Sequence, residues 1–310
     1  MRSKFKKMEP KVIILLGTYN GEKFIEKQLE SIVKQTFSDW QLVIRDDCST
    51  DHTIEIVKAY IEKDPRITLI CGTDNLGQVK NYAALTEIDT GDSYVMFSDQ
   101  DDYWKNDKIE KTYVAMKETE TKYPNAPVMV YTDKEMVDQD LKSLGIRDKI
   151  MKHDFFSILC QNPVYGCTTM LNPQLKSMMT PYPEYATCHD YWAALLAASR
   201  GKIVRLPYES IMYRQHSGNV TGGMNNYSLT AKLKHMKKIN KRIREGIMQN
   251  YLFCKEYGHD IEEAEKYIKL IETPVILRGF KALSMSYKLD NKLATFRNLM
   301  VLSLSRFEKK

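Results

Sequence analysis

YVMFSDQDDYW, residues Tyr94–Trp104, sets an apolar run against three carboxylates within four positions, Asp99, Asp101 and Asp102. Tyr94 to Phe97 read as a short strand. Crowded carboxylates repel and raise one another's pKa, so a chain that keeps them needs a counter-cation. Open α/β sheets bind ligands just beyond the carboxyl ends of their strands, which is where these residues fall.

Three earlier segments end in the same way. The β-branched run Val12–Leu16 leads into Thr18, Tyr19 and Asn20; Leu42–Ile44 leads into Asp46 and Asp47; Ile67–Ile70 leads into Asp74 and Asn75. Between them, Phe24–Val33, Ile54–Tyr60 and Gly77–Ile88 carry helical spacing, the second preceded by capping residues Ser49, Thr50 and Asp51. Repeated strand–helix units predict a parallel sheet covered on both faces. Four polar clusters at one edge of that sheet predict a binding site there. Further on, the pattern predicts strands at Val128–Val130, near Cys167–Leu171 and near Ile203–Leu206, and a helix over Asp190–Ala198. Thr221, Gly222 and Gly223 mark a loop, after which the pattern is helical. The expected division is 1–223 for the α/β domain and 224–310 for a helical tail.

The chain has 310 residues, 43% apolar and 28% charged, an ordinary globular composition. It has no apolar run of about 18 residues, so no membrane span is expected. The basic start MRSKFKKMEPK precedes Val12–Leu16, which is too short for a signal-peptide core. Six scattered cysteines without a CxxC pair read as free thiols of a reducing cytoplasm. The net charge of +6 is unevenly placed. From Thr230 onward there are 18 Lys and Arg against 9 Asp and Glu, while the first 229 residues carry a balance of −3. A basic tail suggests an anionic partner. In it Leu289, Leu293, Phe296, Met300, Leu304 and Phe307 recur at helical steps. Two readings stay open for this face: packing or dimerisation, and contact with anionic lipid. No GxGxxG follows the first strand and no GxxxxGK[ST] occurs, which disfavours a dinucleotide oxidoreductase or a P-loop enzyme.

GTYNGEKFIEKQLESI, IRDDCSTD, NLGQVKNY, FSDQDDYW and HDYW resemble the successive motifs of family 2 glycosyltransferases, closest in flavour to the bacterial rhamnosyltransferase type. The first four lie in order over 17–104; the likeness runs more loosely to about 223 and leaves out the tail. It implies a GT-A fold: an α/β, Rossmann-like, mostly parallel central sheet flanked by helices, with a C-terminal helical region. It also implies an inverting, metal-dependent transferase that takes a sugar from a dTDP- or UDP-linked donor, with L-rhamnose as one option. The acceptor would be a hydroxyl of a cell-wall, capsular or O-antigen polysaccharide or a lipid-linked precursor.

By that resemblance Mn²⁺ or Mg²⁺ sits against the donor diphosphate. Asp101 is its direct ligand, Asp99 lies near the ribose or reaches the metal through water, and His216 completes the site or bonds a phosphate oxygen. Asp102 reads as a cap of a helix beginning near Lys105. Thr18, Tyr19 and Asn20 frame base and ribose, Tyr19 by stacking, and Asp46 or Asp47 accepts the base N3–H. Asn75, Lys80, Ser98 and Arg214 join the donor site, Lys80 being equally readable as a solvated lysine and Glu22 as a helix-dipole partner. Asp190 is the catalytic base, its bland alternative an N-cap. His189, Trp104 and Trp192, with Tyr165, are candidates for the acceptor side or for plain packing. Partners are then a nucleotide sugar and a glycan, with no nucleic acid; homo-oligomerisation and peripheral contact with the inner face of the cell membrane remain open. A sugar-1-phosphate nucleotidyltransferase and a non-enzymatic adaptor are the competing classes. GTYNGEK is only a weak version of the first class's loop, and intact carboxylates speak against the second.

Overall fold

The computed structural model describes residues 10–146, 151–216, 229–285, 287, 289 and 292–305. The loop at Thr221–Gly223, the basic start before Pro10 and Phe307 lie outside them. The described residues form two compact units, one of 10–146, 164–182 and 201–216, the other of 151–163, 183–200 and 229–305. Packing therefore groups the helix that carries Asp190 with the C-terminal helices, a division different from the sequence boundary at 223.

The first unit opens with β1 (Val12–Thr18), α1 (Ile25–Val33), β2 (Trp40–Asp46), α2 (Thr53–Ile61), β3 (Ile67–Cys71), α3 (Gln78–Thr86) and β4 (Tyr94–Ser98). β1 pairs in parallel with β2 on one side and β4 on the other, and β2 with β3. The chain thus leaves β1 in one direction and returns on its opposite side at β4. This reversal is the topological switch point of the sheet, where the loops after the two strands open a crevice. Helices on both faces explain why β1 is apolar nearly throughout: Val12, Ile14 and Leu16 join one core with Ile25, Leu29, Trp40 and Ile44.

Next come β5 (Tyr103–Trp104), α4 (Lys108–Lys122), β6 (Val128–Val137), β7 (Thr169–Leu171), a six-residue helix at Pro173–Met178 and β8 (Lys202–Arg214), completing the sheet order β3-β2-β1-β4-β7-β6-β8-β5. β7 runs antiparallel to β4 and β6, and β5 antiparallel to β8, so the sheet is mixed. β6 and β8 are parallel but slip where Thr132 opposes Leu206 and Asp133 opposes Glu209. The skipped residues begin with Pro207, which has no N–H to give the ladder, so a bulge there is expected. β6 and β8 extend well past the predicted Val130 and Leu206. That length matters: the β5–β8 pairing sets Tyr103 opposite Met212 and draws the acidic loop before β5 to the far end of β8.

The second unit is helical: α5 (Phe155–Cys160), α7 (His189–Arg200), α8 (Leu229–Tyr257), α9 (Glu262–Glu272), α10 (Val275–Ser284) and α11 (Lys292–Leu304), the helix at Pro173–Met178 being α6. Trp192 is ringed edge-on by Tyr185, Phe253 and Tyr257. Asn250 on α8 donates to the Leu159 carbonyl (2.9 Å) and to Tyr191 Oη (2.7 Å), which itself donates to the Ile158 carbonyl (2.9 Å), tying α5, α7 and α8 together.

Candidate active site

The loops at the switch point are stitched to one another. After β1, Asn20 takes a left-handed backbone (φ 46°) that turns the chain towards α1. Its amide carbonyl accepts from Thr50 N (2.8 Å), its own N–H reaches Ser49 Oγ (2.9 Å), and Glu22 accepts from His52 N (3.1 Å). Glu22 therefore turns to the start of α2. The Gln100 amide clamps Tyr19 from the other side, accepting from its N–H (2.9 Å) and donating to its carbonyl (3.0 Å). This leaves the Tyr19 ring exposed at the mouth of the crevice.

Asp46 and Asp47 are both buried. Asp46 accepts from Thr18 Oγ1 (2.8 Å), Ser49 N (2.8 Å) and Ser49 Oγ (2.6 Å). Asp47 accepts from Leu76 N (2.9 Å), Gly77 N (2.7 Å) and Arg45 (3.1 Å), and Asn75 donates to its carbonyl (3.0 Å). The resemblance gives one of this pair to the donor base; in the structure both carboxylates bond to loop groups. Thr18 is likewise buried and spends its hydroxyl on Asp46. Lys80 is exposed on α3.

At the end of β4, Asp99 and Asp101 are half-buried and Asp102 is completely buried. Tyr82 Oη lies 2.7 Å from both Asp99 Oδ1 and the Ser98 carbonyl. His216 Nε2 lies 2.7 Å from Asp101 Oδ2. Arg214 donates through Nε to the Asp101 carbonyl (2.8 Å) and through Nη1 to the Gln139 carbonyl, and its backbone N–H reaches Asp102 Oδ1 (3.3 Å). The Phe24 ring packs under the Arg214 guanidinium and beside the His216 ring. The acidic loop before β5 and the basic residues at the end of β8 thus meet across 113 and 115 positions of sequence.

Beneath this layer is a dry polar nest. Burial, then the charges of Asp101 and Asp99, push the Asp102 carboxyl well above the usual range. Burial, then the charges of Asp102 and Asp99, push the Cys167 thiol up. Lys108, also buried, falls to about 8, and its ammonium is held by the Cys167 carbonyl (2.5 Å), Ser210 Oγ (3.3 Å) and the Trp104 ring. Gln28 joins in: oriented to satisfy its neighbours, its oxygen accepts from Ser98 Oγ (2.7 Å) and Trp104 Nε1 (3.0 Å) and its nitrogen donates to the Asp102 carbonyl (2.6 Å). Asp99, Asp102 and Cys167 each bring a ligand atom within 4.8 Å of one another. Burial works against the ionised forms of the Asp102 carboxyl and the Cys167 thiol, the forms that a cation takes. The half-exposed Asp101 and His216, paired at 2.7 Å, and the half-exposed Asp99 nearby in the chain are of donor types that a cation takes.

Several expected roles are corrected. Trp104 and Trp192 are completely buried, so neither offers a face to a sugar ring. One face of Tyr165 is taken by the Lys134 ammonium 3.4 Å from its centroid. Ser98 is buried in the Gln28 contact, and Arg214 is buried and gives Nε and Nη1 to carbonyls of two loops. Asp102 caps no helix; α4 starts at Lys108 with Asp107 as its N-cap residue. His189 is buried, and burial lowers it to about 4, so it is neutral at pH 7. Gln28, Tyr82, Gln100 and Lys108 escaped the sequence reading. Only Gln100, set between two of the acidic residues, carried a signal that could have found it.

In the helical unit Asp190 stands in the first turn of α7, half-buried, and accepts from Tyr191 N (2.6 Å). Just before it, Gln249 of α8 accepts from Thr187 N (2.6 Å) and Thr187 Oγ1 (2.9 Å), fixing the approach to the helix.

The family model for glycosyl transferase family 2 matches residues 13–171. Among curated proteins, the chain is 28% identical over 190 residues to a putative teichuronic acid biosynthesis glycosyltransferase, TuaG, of Bacillus subtilis (strain 168), covering 61% of this chain and 73% of that one. It is 29% identical over 255 residues to the dTDP-rhamnosyl transferase RfbG of Shigella flexneri, covering 78% and 81%. Among solved structures, the mannosyltransferase PcManGT of Pyrobaculum calidifontis, in complex with GDP-Man and Mn²⁺, shares the fold with a TM-score of 0.57 at 15% identity, over 95% of this chain and 74% of that one. A carboxylate-rich switch-point crevice in a mixed sheet, with a family match spanning that sheet from β1 to β7, leads to one assignment. The chain belongs to glycosyl transferase family 2 and is a glycosyltransferase of GT-A fold.

Proposed function

We propose that the enzyme moves a sugar, with inversion, from a dTDP- or UDP-linked donor to a hydroxyl of a cell-wall, capsular or O-antigen polysaccharide or its lipid-linked precursor. The relatives named for teichuronic acid biosynthesis and dTDP-rhamnosyl transfer support this class of product, and the second supports L-rhamnose as the sugar. The observation that carries the reading is the pairing of Asp101 with His216 beside Asp99, at the end of β4.

Asp99, Asp101 and His216 would hold Mn²⁺ or Mg²⁺, which supplies charge neutralisation for the departing nucleoside diphosphate. A neighbour solved with Mn²⁺ supports the same choice. Tyr82 orients Asp99, and Arg214 holds the loop on which Asp101 sits. The exposed Tyr19 ring stacks on the donor base, and Asn75 joins the donor site. Asp190 takes the proton of the attacking hydroxyl; a sugar alcohol is a weak nucleophile until a positioned carboxylate accepts that proton.

Incubation with dTDP-rhamnose, UDP-hexoses, UDP-N-acetylhexosamines and GDP-mannose tests the reading. Hydrolysis of, or thermal protection by, a dTDP- or UDP-sugar is expected. Response to GDP-mannose alone would reject the pyrimidine donor.

A further inference from the structure

In the helical unit a groove of about 1230 Å³ runs between α8 and α11. Its floor includes Met248, Leu252, Phe296, Met300 and Leu304, and its walls carry Lys237, Lys241, Arg244, Lys255 and Arg297 against a single acid, Glu245. α11 is apolar on both sides. Val301 and Leu302 face the core, yet Phe296 is 62% and Leu304 71% exposed. A helix that is apolar all round needs a second apolar medium on its outer face. α10 repeats the pattern, burying Ala282 while Ile276 is 84% and Phe280 74% exposed.

The two helices are held as a rigid pair. The buried Arg278 of α10 donates to the Leu302 (3.0 Å) and Ser305 (2.8 Å) carbonyls at the end of α11. Gly279 approaches α11 so closely that a Cβ there would sit 2.3 Å from Ser303 Oγ. The exposed side chains are thus presented by a built element rather than by a fraying end.

Charge decides what covers them. A symmetric dimer across this face would set the basic patch of Lys237, Lys241 and Arg244 of one copy against the same patch of the other, with only Glu245 in the groove to offset the charge. A lipid surface with anionic headgroups answers both features, taking the aromatic and aliphatic side chains to the acyl boundary and the ammonium and guanidinium groups to phosphate. Among the described residues no helix is long and apolar enough to cross a membrane, so the contact is with the surface.

We propose that the groove between α8 and α11, together with the exposed apolar residues of α10, docks on an anionic phospholipid surface. The proposal does not depend on the donor or acceptor named above. The test is co-sedimentation of the full chain with phosphatidylcholine vesicles and with vesicles holding roughly 30 mol% phosphatidylglycerol, at low and high salt. Tighter binding to the anionic vesicles, by about tenfold or more and weakened by salt, is expected. Phe280→Asp with Phe296→Asp, and separately Lys241→Glu with Arg244→Glu, should each remove about tenfold of that affinity while donor hydrolysis in solution stays unchanged. Equal binding to both vesicle types, no binding to either, or a stable dimer in solution dispersed by the Phe280 and Phe296 changes would each overturn it.

Discussion

His216 Nε2 and Asp101 Oδ2 lie 2.7 Å apart although the residues are 115 positions distant in sequence. They meet because β5 pairs with the last residues of β8, so one strand end delivers a carboxylate and the other an imidazole. A carboxylate and an imidazole are donor types that a divalent cation takes, and the proposed function places one on Asp101 and His216. Asp101→Asn and His216→Ala should each raise the Mn²⁺ concentration for half-maximal donor turnover by roughly 10–100-fold. A metal titration of each variant checks this, and an unchanged midpoint would remove the residue from the site.

Gln100 joins the acidic loop to the Tyr19 backbone through two hydrogen bonds. Gln100→Ala frees the loop that presents Tyr19 without touching the carboxylates. The expected result is a donor KM higher by about tenfold with kcat nearly kept, as for an interaction made equally in ground and transition states. Steady-state kinetics against donor concentration separate the two. A fall confined to kcat would mean that Gln100 acts on the chemical step instead.

Asp190→Asn keeps the shape of the first turn of α7 and removes the proposed proton acceptor. Turnover should fall by roughly two to four orders of magnitude while donor affinity stays as it was. Near-normal turnover would return Asp190 to a purely structural role at the start of the helix.

His189 is buried and neutral, its pKa lowered from 6.5 to about 4. In the unfolded chain it takes up a proton near pH 6.5, whereas the folded chain resists until about pH 4. Stability is therefore intact above pH 6.5 and declines as pH drops through this window, by up to about 3 kcal/mol. Denaturant melts at steps between pH 7 and pH 4 should show the slope, and His189→Gln should flatten it. An equal slope in the variant would assign the acid sensitivity to other groups.

The βαβ half of the fold was legible because strands covered on both faces must be apolar throughout, as Val12–Leu16 and Tyr94–Phe97 are. β6 and β8 were only half legible. Beyond Val130 and Leu206 they continue through Asp133, Lys134 and Glu209, whose polarity hides a strand that pairing nonetheless extends. The acidic residues at strand ends announced a site, since clustered carboxylates are costly without a partner. What sequence could not separate was a polar residue facing ligand from one serving a loop. Asp46, Asp47, Thr18 and Ser98 all turned inward, and the same ambiguity hid Gln28, whose amide works entirely within the protein. Trp104 and Trp192 failed as sugar platforms for a related reason: large aromatics fill cores as readily as they line binding sites.

The central claim is that a divalent cation on Asp99, Asp101 and His216 holds the donor's diphosphate. Calorimetric titration of the wild-type chain with UDP and with dTDP, in Mn²⁺ and again in EDTA, tests it directly. Affinity for at least one nucleotide should fall by about tenfold or more when the metal is removed. Identical dissociation constants with and without the cation would contradict the account.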